Sequence, residues 1–116
     1  VHLVEMDRAK RPVMEKNISW AKDECDIEIF NADVLAYIPR CSTQYDIVYA
    51  DPPFPMPEKI RILSAVAKSD AVKDGGQFIV HIPATEENLW PEVFENFKLT
   101  DTRRYGRNMI KFYSKV

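Results

Sequence analysis

A strand-like segment stopped by a double proline constrains this chain most: Tyr45-Asp46-Ile47-Val48-Tyr49-Ala50, then Asp51-Pro52-Pro53-Phe54. Six residues rich in β-branched and aromatic side chains form a strand rather than a helix, and the near-continuous apolar run of the inner four is that of a strand covered on both faces of a parallel sheet. Consecutive prolines remove ladder donors and fix φ, so the strand ends abruptly.

The flanking segments supply an alternation. Residues 1–4 form a short β-rich run closed by Glu5 and Asp7, and a helix is expected over 7–22, with Asp7 capping it and Pro12 in its first turn. A second strand over 27–30 ends in the turn residues Asn31-Ala32-Asp33, followed by a short helix over 34–38 that Pro39 stops. Beyond Phe54, Met56-Pro57 opens a helix whose stripe is Ile60, Leu63, Val66 and Ala67, and Gly75-Gly76 gives a left-handed turn into a strand over 78–82. Residues 91–97 are expected to form one more short helix, and 98–105 with 108–113 an antiparallel hairpin around Gly106. Strands alternating with helices imply right-handed βαβ units, hence an α/β doubly wound sheet, mostly parallel, with an antiparallel C-terminal hairpin.

Composition narrows the function classes. With 16 Lys and Arg against 18 Asp and Glu the net charge is -2, which excludes a uniformly basic nucleic-acid clamp and leaves any polyanion to meet a local patch. Cys25 and Cys41 sit in no CxxC pair and no His-rich neighbourhood, so both are read as reduced thiols and no metal site is expected. No apolar run approaches the roughly 20 residues of a membrane span, and a cytoplasmic protein is the expectation. The chain opens on an apolar strand without an initiator Met, which suggests part of a longer protein.

In such sheets ligands collect at the carboxyl ends of strands, and three ends here carry acids: Glu5, Asp33 and Asp51. Glu5 either accepts from ribose hydroxyls or is a solvated acid at a helix start; Met6 beside it lies against a base or fills a core. Asp33 either accepts from an adenine amine or caps the helix that Val34 begins. Asp51-Pro52-Pro53-Phe54 is sharper, because the prolines fix carbonyls beside a carboxylate and an aromatic face. That set can accept both hydrogens of a planar amine while Phe54 stacks on the base.

In this order the residues resemble the class I S-adenosylmethionine-dependent methyltransferases, most closely the RsmD family of 16S rRNA (guanine-N2)-methyltransferases, over nearly the whole chain. The resemblance implies that Glu5, with Met6, binds the cofactor ribose and that Asp33, with Val34, reaches the adenine. Asp51, Pro52, Pro53 and Phe54 match the Asn/Asp-Pro-Pro-aromatic motif of enzymes that methylate amino nitrogens. The ribose-binding acid precedes this motif, whereas several DNA amino-methyltransferases are permuted, so the resemblance favours an rRNA or small-ribosomal-subunit partner and a guanine amine as acceptor. The family's first strand and glycine-rich loop would lie upstream of Glu5. Residues 1–116 are therefore expected to be the C-terminal part of a single catalytic domain missing its first strand, to bind S-adenosylmethionine poorly, and alone either to form no stable monomer or to fill the gap with a strand from another chain. A DNA or protein amide methyltransferase, or a non-catalytic methyltransferase-like binding module, are the rival readings.

Among the remaining residues, Arg103, Arg104, Arg107, Lys111 and Lys115 either contact phosphates or protect a solvated edge strand. His2 and His81 are read as packed structural residues, Trp20 and Trp90 as partly buried anchors, and Tyr49 as packed within the sheet.

Overall fold

The structure, a computed structural model, describes residues 1–116 and divides them into two compact units, Val1–Tyr37 and Ile38–Val116. In the first, strands β1 (His2–Glu5) and β2 (Glu28–Asn31) pair in parallel, with Glu5 opposite Asn31. Asp7 caps a 3-10 turn through its side chain, and helix α1 (Arg11–Ile18) follows with Pro12 in its first turn. The single helix expected over 7–22 is thus a short α-helix flanked by 3-10 turns. Helix α2 (Val34–Tyr37) closes the unit, and the rings of His2, Phe30 and Tyr37 pack in sequence. Trp20 is 78% exposed, so it is no buried anchor.

The second unit holds a five-stranded sheet in the order β3-β4-β7-β6-β5. These strands are β3 (Tyr45–Ala50), β4 (Val72–Pro83), β5 (Val93–Phe94), β6 (Phe97–Tyr105) and β7 (Asn108–Lys115). β3 and β4 are parallel, joined through helix α3 (Ile60–Ala67), and the terminal hairpin is antiparallel as expected from its sequence. Phe78, Val80 and Ile82 of β4 stand opposite Tyr113, Lys111 and Met109 of β7, all buried. With Ile62, Leu63 and Val66 of α3 they form the core of this unit. Side chains of Val-to-Phe size contribute about 1.5–3 kcal/mol each when fully buried.

Several expectations are corrected. α3 begins at Ile60 rather than at Met56, because Glu58 takes a left-handed backbone (φ 52°) that no helix accommodates. The left-handed turn at Gly75 (φ 79°) is real, but it interrupts β4: Tyr45 pairs with Val72 and Ile47 with Gln77, so residues 73–76 form an irregularity opposite Asp46 alone. Residues 91–97 give no helix; Glu95 is left-handed (φ 52°) and turns β5 back onto β6. β3 is not covered on both faces, since Ile47 and Tyr49 are largely exposed. Lys111 and Lys115 are buried rather than set out for phosphates, and Lys115 Nζ donates to the Val72 carbonyl at 2.8 Å.

Candidate active site

At the carboxyl edge of the first unit, parallel pairing brings the ends of β1 and β2 side by side. The Glu5 carbonyl accepts from Ala32 N at 3.1 Å and from Asn31 Nδ2 at 3.3 Å, which fastens the two strand ends together. Arg11 Nη1 in turn donates to Asn31 Oδ1 at 2.9 Å. Glu5 Oε1 accepts from Asp7 N at 3.2 Å and lies 3.6 Å from Lys10 Nζ. Asp33 Oδ1 accepts from Leu35 N at 3.0 Å, so this side chain does cap α2. Each carboxylate spends one oxygen on the chain. Met6 is exposed and Val34 half-buried beside them.

In the second unit, Asp51 follows β3 directly, Pro52 is buried, and Pro53 and Phe54 are exposed. The Pro53 carbonyl accepts from Met56 N at 2.9 Å, which folds the loop into a tight turn. The parallel partner β4 delivers His81 to the same place. His81 Nδ1 lies 3.0 Å from Asp51 Oδ1, its Nε2 lies 2.8 Å from Asn108 Oδ1, and its ring meets the Phe54 ring edge-on at 5.6 Å. Asp51 Oδ1 is thereby held while Oδ2 stays free. Tyr49, exposed two residues earlier, has its pKa raised by burial and then by the Asp51 charge.

Sequence reasoning missed two members of this constellation. His81 reads in the sequence as a packed structural residue, yet it bridges Asp51 and Asn108 from 30 and 27 residues away. Lys59 lies beneath the loop with only 1% of its side chain exposed. A polar residue within an apolar strand run, one strand over from Asp51, was the available signal for His81; Lys59 offered none.

The family described as Conserved hypothetical protein 95 matches residues 1–114. The chain belongs to that family. It is the RsmD-like group of methyltransferases that the motifs resemble. Ribosomal RNA small subunit methyltransferase D of Escherichia coli is 23% identical over 113 residues, covering 97% of this chain and 56% of that protein. The chain thus spans about half the length of the curated relatives it matches. Among solved structures, a conserved hypothetical protein of Streptococcus pyogenes superposes with TM-score 0.87 at 18% identity, covering 99% of this chain and 71% of that one. An rRNA methylase of Streptococcus thermophilus gives TM-score 0.72 at 10% identity, covering 100% and 73%. These likenesses establish the methyltransferase type of α/β fold.

The donor set at the first edge suits the nucleoside half of S-adenosylmethionine: two carboxylates on adjacent parallel strand ends, each with one oxygen unengaged, can accept hydroxyl and amine hydrogens. No group of three or more His, Cys, Asp or Glu side chains is placed to share a metal ion, and no helix is long and apolar enough to cross a membrane.

Proposed function

We propose that the protein transfers a methyl group from S-adenosylmethionine to the exocyclic amine of guanine in 16S rRNA, acting in the cytoplasm, and that these residues are the C-terminal part of a single methyltransferase catalytic domain. The observation that carries this reading is the Asp51 carboxylate, pinned through Oδ1 by His81 and open at Oδ2, on a proline-fixed loop whose next aromatic is exposed. Family membership supports it.

When bound, S-adenosylmethionine supplies an electrophilic methyl on a sulfonium. Glu5 and Asp33, with Met6 and Val34 beside them, hold its nucleoside half. Asp51 Oδ2 and an adjacent loop carbonyl accept the two amine hydrogens and so direct the nitrogen lone pair outward; Pro52 and Pro53 keep that geometry fixed, which is positioning catalysis. Phe54 stacks on the base, an interaction of about 1–3 kcal/mol. The proton that the nitrogen releases as it forms its new bond passes to the Asp51 carboxylate. Within an RNA helix the amine is obstructed, so the base is unstacked before it reaches the loop. The exposed hairpin tip carries Arg103, Arg104 and Arg107, and it is tied to this region because Arg107 O accepts from Ala84 N at 2.8 Å and Asn108 holds His81. Arg104 and Arg107 contact RNA phosphates, while Arg103 is paired with Asp101 Oδ2 at 3.0 Å.

Incubation of the intact protein with tritiated cofactor and separate rRNA, DNA and protein acceptors tests the reading. Label is expected in rRNA guanine and is expected to fall at least tenfold in Asp51→Ala and Phe54→Ala, with cofactor affinity little changed, because the lost contacts belong to the reacting base. Label in DNA or protein alone, or full turnover in either variant, contradicts it.

A further inference from the structure

The loop that carries Asp51 and Phe54 is anchored from below by one side chain. Lys59 precedes α3, and its Nζ donates to the Phe54 carbonyl at 2.7 Å, to the Met56 carbonyl at 2.8 Å and to the Glu86 carboxylate at 2.9 Å. An ammonium has three donors, and all three are engaged. Glu86 lies in the 3-10 turn (Ala84–Leu89) that follows β4, the strand bearing His81. One buried nitrogen therefore joins both ends of the constellation: the carbonyl of the stacking residue on one side and the turn after the histidine strand on the other.

Geometry of this kind exceeds what the fold requires. A buried ion pair is weak evidence for stability, since desolvation of both charges offsets their attraction, and apolar replacements often match it. Two of the three bonds here go to carbonyls two residues apart in one loop. Glu58, immediately before Lys59, sits in the left-handed region (φ 52°), a strain of order 1 kcal/mol or more that persists only where the surroundings over-determine it.

We propose that Lys59 is a positioning residue for the amine-methylating loop: by clamping the Phe54 and Met56 carbonyls it fixes the stacking ring relative to Asp51, and Glu86 orients its ammonium. This rests on the function proposed above, and the test separates the two. In the intact protein, Lys59→Met is expected to lower kcat for methyl transfer at least tenfold with KM for the cofactor unchanged, and to speed exchange of the Met56 amide, which donates to the Pro53 carbonyl, at least tenfold while α3 keeps its protection. Lys59→Met/Glu86→Gln removes both charges, so it recovers thermal stability without recovering kcat or loop protection; it also serves where the single variant fails to fold. Val66→Ala, a core truncation in α3, lowers the melting temperature yet leaves kcat within twofold. Turnover that simply follows melting temperature across the three variants overturns the proposal, as does unchanged loop exchange in the folded double variant. If the wild-type protein methylates nothing, the activity reading fails, and accelerated loop exchange alone still supports the clamp while unaltered exchange refutes it.

Discussion

Tyr113 gives the second unit a pH dependence whose size follows from its surroundings. It is fully buried on β7 between the rings of Phe78 and Trp90, and its hydroxyl donates to the Pro91 carbonyl at 2.7 Å. Burial pushes its pKa from 10.0 up to about 12. Below pH 10 the side chain is protonated in both native and unfolded chains, and its contribution is whole. Between 10 and 12 the unfolded chain binds fewer protons than the native one, so stability falls as pH rises, by about 1.4 kcal/mol per pH unit and about 2.7 kcal/mol across the interval. Tyr113→Phe abolishes the titration together with a hydrogen bond whose loss costs about 1 kcal/mol. Urea unfolding at a series of pH values is therefore expected to show the wild type more stable by about 1 kcal/mol at pH 9, and the variant more stable by a similar amount near pH ~11.5. Taking the difference between the two proteins cancels the other tyrosines and the lysines. Curves that stay parallel from pH 9 to 11.5 would refute the reasoning.

Gly76→Ala places a Cβ 2.8 Å from the Asp46 carbonyl and 2.9 Å from the Lys73 carbonyl, both backbone, and is expected to destabilise the protein by about 1–3 kcal/mol in urea unfolding. Glu5→Ala is expected to weaken calorimetric binding of S-adenosylmethionine to the intact protein by roughly 1.5–3 kcal/mol, the range for bonds to a charged group; unaltered affinity removes Glu5 from the site. For the hairpin tip, Arg104→Gln/Arg107→Gln is expected to reduce the slope of log affinity for an rRNA fragment against log salt by about 1.5, since each phosphate contact contributes about 0.7–0.9. Arg103 is left out of that variant because Asp101 Oδ2 already holds its Nε at 3.0 Å.

The strands were legible where one physical rule dominated. Apolar runs closed by turn residues gave β1, β2 and β3, and Gly106 with its flanking β-rich segments gave the hairpin. Reading failed where two rules competed. Along β7 the sequence Asn108-Met109-Ile110-Lys111-Phe112-Tyr113-Ser114-Lys115 puts Met, Lys, Tyr and Lys on one face and Asn, Ile, Phe and Ser on the other, so period two alone cannot tell which face is the core. The buried face proved to be the one with both lysines, whose stems lie along apolar surface. Over 91–97 a proline at the start suited a first helical turn, but the left-handed backbone at Glu95 made a hairpin instead.

The site divides along a related line. Asp51, Pro52, Pro53 and Phe54 are contiguous, so the chemistry proposed for them is read from one stretch of chain. His81 reaches that stretch from 30 residues away, Nδ1 to Asp51, and Lys59, although only five residues beyond Phe54, is itself held by Glu86 27 residues on, so no local pattern encodes either arrangement. What makes His81 recoverable is the parallel pairing of β3 with β4: Ala50 stands opposite Val80, so the residue after each strand position, Asp51 and His81, must emerge at the same edge and on the same face. A histidine that is polar, inside an apolar strand, and in register with a catalytic-type carboxylate is therefore better assigned to the site than to the core, and the 3.0 Å contact is the consequence of that register.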